Sequence, residues 1–551
     1  MRLFSLFMLI GCLSCTSHPQ PASTQLTPEQ RSDSIAQAQA DSIHRLRQTP
    51  VHPDTVFSSV EALAYQVDVF DTITSGLVAG YEDRYVDAPG IFTFRGSLDR
   101  SAPFVGHVTG IPDTLQTVWT YRTKFDNRRT NHGTWGGGTG WTGQPLYVEW
   151  PDSLLQAFRS DTACHATLPG QSEIIFGSLN SNVYFLDFAT GQPSRDPIYV
   201  HNPIKGTPML DPTLDGRLYV GHGVLADNAY GWGQVTIDLF QHKIIHFMGK
   251  DRRSWRGWDG NDSSPLRLGR FVFHASENGT VYKWLVTPEG RTLHTTLRYR
   301  VKGRAPGIES SMCVWGNYGY CTDNHGNVIC INLDTMHPVW RYDNHDDNDC
   351  TPVLRHEAEG TYIYVGSEVD VHPGDTLCRY AKLDALTGQL VWELRAPAFR
   401  YAHGEKHFDG GYYGSSLPGR GDCSHLMFVN RVINAYSNHQ QRQNGVFVAI
   451  NCRTGQEVYT TRLKCYAWSS PVGFLNEDGR FFVLTFDCIG HCYLIDGLSG
   501  QVLYTAQVGG NFESSPIVVG NEVVIGSRNG NIYKFAVGRA QRPDTNTPLV
   551  Q

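Results

Sequence analysis

Short stretches of alternating apolar and polar residues, each closed by a turn-forming group, recur along this chain from Leu115 onward. The last copy is the clearest: Val502-Leu503-Tyr504, then Glu513-Ser514-Ser515-Pro516, Val523-Val524-Ile525-Gly526-Ser527 and Asn529-Gly530-Asn531-Ile532-Tyr533. Each phrase is a short strand. The last returns as Asn278-Gly279-Thr280-Val281-Tyr282, as Gly326-Asn327-Val328-Ile329 and, with serine for glycine, as Asn180-Ser181-Asn182-Val183-Tyr184. Asn-Gly between apolar alternations is a hairpin signal, because both residues accept positive φ. A second phrase runs from Asp or Asn to Gly: Asp187 to Gly191, Asp384 to Gly388, Asn451 to Gly455 and Asp496 to Gly500. Those end residues suit a tight turn. A strand carrying an aromatic follows, as in Val391-Trp392, Val339-Trp340 and Val458-Tyr459, and the first such strand is Val118-Trp119.

About eight copies at roughly 50 residues each fall within the period of propeller blades. The fold predicted is therefore all-β, an eight-bladed β-propeller of four-stranded antiparallel blades closed on itself. A single blade cannot bury both faces, so the repeated Trp or Tyr is expected to pack between neighbouring blades.

Composition supports this reading and narrows the partners. The chain has 551 residues, 56 of them glycine, with 12% aromatic and 18% charged. A formal net charge of -7 argues against nucleic acid as a partner. At the N-terminus Met1-Arg2 precedes an apolar run over residues 3–11 that is too short to span a bilayer. Leu9-Ile10-Gly11-Cys12 and Cys12-Leu13-Ser14-Cys15 resemble bacterial lipoprotein signals. That resemblance implies cleavage and acylation at Cys15, or alternatively at Cys12, and a membrane attachment through lipid. The organisation expected is a leader over 1–14, a tether and extension over 15–90, the propeller over 91–538 and a disordered tail over 539–551. Within the tether, Thr27-Pro28-Glu29-Gln30 has the form of a helix start.

The Trp strand, Ser-Ser-Pro strand, Gly-Ser strand and Asp-x-x-Thr-Gly turn together resemble the pyrroloquinoline-quinone (PQQ) repeat superfamily, which includes BamB-like envelope lipoproteins. Phe94-Arg95-Gly96-Ser97-Leu98-Asp99-Arg100 is similar to the phrase before the first blade of many exported members. The resemblance covers residues 92–537. It implies a noncatalytic scaffold in the bacterial envelope, anchored at the outer membrane toward the periplasm or the surface, with envelope proteins as partners. The alternative it implies is a dehydrogenase acting on alcohols or sugars with PQQ and calcium in the channel. Against that alternative stand the missing vicinal cysteines and the missing Cys-x-x-Cys-His motif. A carbohydrate-binding or carbohydrate-cleaving propeller is a third reading. No catalytic residue is assigned.

In a propeller, equivalent positions form a ring about the axis. The residue before each small-small strand is Asp262, Glu309, Asp349 or Glu513, with Lys205 and Trp468 in comparable places. These carboxylates are expected at one mouth of the channel as a ligand site, with Trp255, Arg256 and Trp258 as an aromatic and cationic wall. A denser acidic group, Asp346, Asp347, Asp349, Glu368 and Asp370, with Asp343 nearby, suggests calcium, which takes oxygen ligands. Residues 124–171 and 396–422 break the rhythm and read as loops on one face, the second carrying His403, His407, Asp409 and Tyr412. Cys313 and Cys321, and Cys488 and Cys492, flank short turns and could face each other as disulfides, or be buried free thiols.

Overall fold

The computed structural model describes residues 63–71, 83–160, 171–403, 406–434 and 444–540, without the side chains of 157–160 and 401–408. Eight sheets follow one another along the chain and form the blades of a propeller, antiparallel except where Gly106–His107 joins blade 7 in parallel. Numbered from the first complete one, blade 1 starts with Leu146–Glu149, blade 2 with Met209–Leu210, blade 3 with Leu266–Leu268 and blade 4 with Cys313–Trp315. Blade 5 starts with Val353–Glu357, blade 6 with Leu417–Pro418, blade 7 with Val472–Leu475 and blade 8 with Ile517–Val519. The ring is closed by Thr114–Arg122, which pairs antiparallel with Asn531–Gly538 as the outer strand of blade 8.

Several stretches do more than their composition suggested. The innermost strands of blades 1 and 6 lie inside the segments read as loops, and the first of those segments also holds the helix Asp152–Ser160. Within the N-terminal extension, Leu63–Val69 adds a fifth strand to blade 3, running from Leu63 opposite Val301 to Val69 opposite Thr295. Cys12, Cys15 and the helix start at Thr27 lie outside the described residues.

The repeated aromatic and the repeated turn meet between blades. Asp187 closes its turn by accepting hydrogen bonds from the Thr190 amide and hydroxyl, at 2.8 and 2.6 Å, and Asp384 does the same for Thr387. Gly191 follows with φ of +70°, and a Cβ there would stand 2.5 Å from the Trp119 ring. Trp119 also donates its indole N–H to the Phe188 carbonyl at 3.0 Å. The same pairing joins Trp340 to Gly388 and Ala385, Trp392 to Gly455 and Cys452, and Tyr459 to Gly500 and Gly497. Each aromatic thus docks on the next blade's turn, and glycine is required there twice over, by φ and by the ring against it.

The axis is filled by residues 93–101. Arg95 is fully buried and donates to the carbonyls of Pro471 at 3.0 Å and Ser416 at 3.1 Å, in blades 7 and 6. Arg100, also fully buried, donates to the carbonyls of Met312, Phe94 and Ser264. Main-chain bonds from Val314 to Leu98 and from Leu354 to Asp99 tie blades 4 and 5 to the same segment. The phrase that precedes the first blade is an axle stapling blades together through carbonyls.

Neither cysteine pair is bridged, and all ten described cysteines are buried free thiols. Cys313 stands opposite Tyr320, so Cys321, one residue on, points to the other sheet face. Cys313 packs with Trp340 and Ile363, whereas Cys321 packs with Ile329 and Ile331. Cys492 likewise sits among Phe474 and Phe512, while Cys488 joins Tyr466 and Tyr413.

Replacing Trp340 by alanine should empty a fully buried inter-blade site and cost about 3–5 kcal/mol, the usual range for a buried large aromatic. Thermal unfolding of W340A beside the parent chain checks this, and an unchanged melting temperature would show that the docking contact does not hold the blades. Arg100→Met should also lower the melting temperature, because it strands the buried carbonyls of Met312, Phe94 and Ser264.

Candidate functional site

Eight inner strands converge on the axis, and crowding there selects small residues. In three of the Ser-Ser pairs the first hydroxyl bonds within its own blade, Ser263 to the Ala275 carbonyl, Ser310 to that of Thr322 and Ser514 to that of Gly526, whereas the Ser469 hydroxyl has no partner. The second links neighbouring blades: the Ser264 amide donates to the Ser311 hydroxyl, Ser311 to Thr351, Ser415 to Ser470, Ser470 to Ser515, and Gln144 to Thr207, at 2.8–3.1 Å. The residue just before each pair is thereby carried to the mouth. There Thr142, Asp262, Glu309, Asp349, Tyr413 and Trp468 line one cavity, floored by Phe94 of the axle.

Residues 133–144 form the roof. Trp141 and Thr142 both adopt positive φ, +55° and +57°, a conformation uncommon outside glycine. This turn lays the Trp141 indole across the axis, edge-on to Trp468 at 5.5 Å and to Trp135 at 6.1 Å. Its N–H donates to Glu309 Oε2 at 3.1 Å, and Lys205 Nζ lies 4.2 Å from its ring centroid. The cavity beside it, partly open to solvent, measures about 30 Å³. A water needs on the order of 10–15 Å³, so this is room for a water or two or for a bare cation.

Asp262, Glu309 and Asp349 line the cavity, and with three adjoining carboxylates they make two groups. Asp262, Glu277 and Glu309 bring ligand oxygens within 4.8 Å of one another, as do Asp347, Asp349 and Glu368. Lys205 serves the first group, in direct contact with Asp262 and 3.8 Å from Glu309. Burial works to strip the Lys205 proton, but Asp262, Glu309 and Glu277 more than offset it and raise the ammonium's pKa. Glu277 itself is pushed well above the usual carboxylate range by burial and then by Glu309 and Asp262. In the second group no lysine or arginine of the described residues makes an ion pair with Asp347, Asp349 or Glu368. Burial raises all three, reinforced by Glu309 for Asp347 and Asp349 and by Asp349 for Glu368. Glu368 is 3% exposed, and its Oε1, like Asp347 Oδ1, has no hydrogen-bond partner.

Several residues expected here are engaged elsewhere. Asp346 is buried with its carboxylate accepting from the amides of Asp347, Asp370, Val371 and His372, so it shapes a turn instead of facing the cavity. Asp370 pairs with Arg400, which also holds Asp409, and exposed Asp343 pairs with Arg341. Glu513 keeps its ring position but turns to Asn511 at 2.8 Å and Arg528 at 3.8 Å. Trp255 lies away from the mouth, under Arg298 and Arg300 of the fourth strand of blade 3. Trp258 does reach the rim, against Trp232 and His132, and Arg256 donates to the Glu277 carbonyl. Tyr412 packs in the core of blades 5 and 6, and the side chains of His403 and His407 lie outside the described ones.

Glu277 and Trp141 are the residues that sequence reasoning missed. A signal for Glu277 exists: it stands two residues past the second strand of its blade, where blade 5 has Glu368 and blade 8 has Arg528. That position forms a second ring beside the first. Trp141 had no repeat to mark it.

Because Glu277 holds a proton in the folded state that the unfolded chain releases, its burial costs stability as pH rises above the usual carboxylate range, near 4. E277Q should flatten that loss and raise the melting temperature at neutral pH relative to the parent. Thermal melts from pH 4 to 8 check it, and parallel curves for the two proteins would contradict the assignment.

No family model and no curated protein matches the chain. Solved structures do. A quinohemoprotein alcohol dehydrogenase from Comamonas testosteroni aligns over 86% of this chain and 85% of its own, with TM-score 0.56 and 13% identity. A europium-containing methanol dehydrogenase aligns over 83% of this chain and 100% of its own, with TM-score 0.53 and 12% identity. BamB from Moraxella catarrhalis aligns more loosely, with TM-score 0.45 and 15% identity over 77% of this chain and 98% of its own. At such identities the likeness is one of fold alone, that of an eight-bladed β-propeller.

Proposed function

We propose that this chain is a noncatalytic binding propeller of the bacterial envelope, whose channel mouth holds a hard cation of the calcium type on Asp347, Asp349 and Glu368. The observation that carries the reading is the cluster of Asp347, Asp349 and Glu368, which no lysine or arginine of the described residues pairs with and in which Glu368 Oε1 and Asp347 Oδ1 are buried without a partner. Unpaired buried carboxylates are costly, and an all-oxygen set matches calcium. The cation would fix the rim formed by Trp135, Trp141 and Trp468, against which a protein partner or ligand docks. The lipoprotein-like leader at Cys12 or Cys15 supports placing that partner in the envelope.

PQQ does not fit this mouth. It is a flat tricyclic quinone bearing carboxylates, whereas Phe94 and Trp141 narrow the space to about 30 Å³ and six carboxylates outnumber Lys205. The dehydrogenase reading would require the Trp141 turn to leave the axis. Nothing in its tethering to Glu309, and of Thr142 to the Glu513 carbonyl, favours that.

Adding calcium to the purified chain should raise its melting temperature, by about 2.7 kcal/mol of stabilisation at a hundredfold excess over Kd. D349N and E368Q should abolish the response, while E513Q should retain it. Dye-linked oxidation of alcohols or sugars in the presence of PQQ and calcium would overturn the noncatalytic reading. An unchanged melting temperature with calcium would remove the cation from it.

A further inference from the structure

Asp346, excluded from the channel mouth, organises a different cluster on the surface between blades 4 and 5. Its carboxylate takes the amides of residues 370, 371 and 372 at 2.7–3.0 Å, which fixes the turn that carries His372 and Asp375. Its Oδ2 then stands 3.3 Å from His372 Nδ1. A buried carboxylate beside Nδ1 favours the proton on that nitrogen and leaves Nε2 as the lone-pair donor, as a second carboxylate does for a metal-binding imidazole. His345 reaches the same place from the end of blade 4. Its ring stacks on that of His372, with centroids 4.2 Å apart and planes at 9°, and its Nε2 lies 2.6 Å from Asp375 Oδ2.

We propose that His345, His372 and Asp375 form a surface site for a divalent transition metal of the zinc type, with Asp346 as the positioning residue for His372. One ligand atom from each of the three residues lies within 4.8 Å of the others, so modest side-chain rotations bring them around a common centre. Two imidazoles and a carboxylate are a borderline set that suits zinc, nickel or copper in preference to calcium. The side chains are 33%, 46% and 42% exposed, which leaves an entry path and an open position for water. The depression beside the site, about 300 Å³, is walled by Lys302, Arg304 and Arg341, so an anion is the natural exchangeable ligand there. This site shares no ligand with the calcium-type cluster.

The test is zinc retention by the purified, untagged chain, measured by elemental analysis after dialysis against micromolar zinc and then by competition with a chromophoric chelator. The expected result is about one equivalent retained, with the affinity lost in H345A and H372A and reduced 10–100-fold in D346N, the usual cost of removing an orienting carboxylate. Cobalt substitution should give visible absorption bands that vanish in H372A. On the unmutated chain, zinc should protect two histidines from acylation by diethyl pyrocarbonate, located by peptide mapping as His345 and His372. Calcium-induced stabilisation should survive in H372A. Zinc retention equal in parent and H345A/H372A, or protection mapped to other histidines, would overturn the proposal, as would failure to retain zinc at all.

Discussion

Everything at the mouth of this propeller follows from the crowding of eight inner strands about one axis. Mostly small residues, Ser, Thr, Gly and Cys, stand where the blades meet, and amides of one blade donate to hydroxyls of the next, Ser264 to Ser311 and Ser311 to Thr351. Such a ring has little slack, since the hydroxyls of Thr207, Ser311, Thr351, Ser470 and Ser515 each answer a buried backbone amide. The residue before each pair therefore has its place imposed and only its chemistry left open. Blades 3, 4 and 5 use that freedom for Asp262, Glu309 and Asp349, blade 2 for Lys205, and blades 6 and 7 for Tyr413 and Trp468.

The outer circumference is governed by a different contact, the Trp or Tyr that lies on the next blade's turn glycine. Trp340 on Gly388 and Trp392 on Gly455 each join burial of a large ring to an indole hydrogen bond. With the axle residues Arg95 and Arg100 bonding carbonyls at the centre, the blades are held at both radii. That rigidity is what allows buried, mutually repelling carboxylates to persist, because the surroundings cannot relax to separate them.

The fold was legible because its signals are local and repeated: an Asn-Gly hairpin, an Asp-x-x-Thr-Gly turn and an aromatic strand mean the same thing in every blade. Ring membership was legible for the same reason, and Asp262, Glu309 and Asp349 do meet. Nearness in sequence was the poorer guide. Asp346 and Asp347 are neighbours, yet one carboxylate caps a surface turn and the other faces the axis. Cys313 and Cys321 flank one turn, but the register offsets them by one residue and so puts them on opposite faces. The axle was marked only by its similarity to a known phrase, which gave it no role, and the Trp141 turn occurs once and so leaves no pattern to read.

The asymmetry of charge across the mouth decides what the site can hold. Two unit charges about 4 Å apart interact by about 4 kcal/mol at an effective dielectric of 20. One ammonium can therefore compensate the carboxylates it touches and ease Asp349 beside them, but it cannot neutralise all three of the second group. Lys205 cannot move to share itself, being held between Asp262 and the face of Trp141. Asp347, Asp349 and Glu368 must then keep protons or gather around a cation. A proton relieves one carboxylate at a time and leaves its oxygens unsatisfied. A divalent ion relieves all three together and uses the very lone pairs that the protein leaves unpaired.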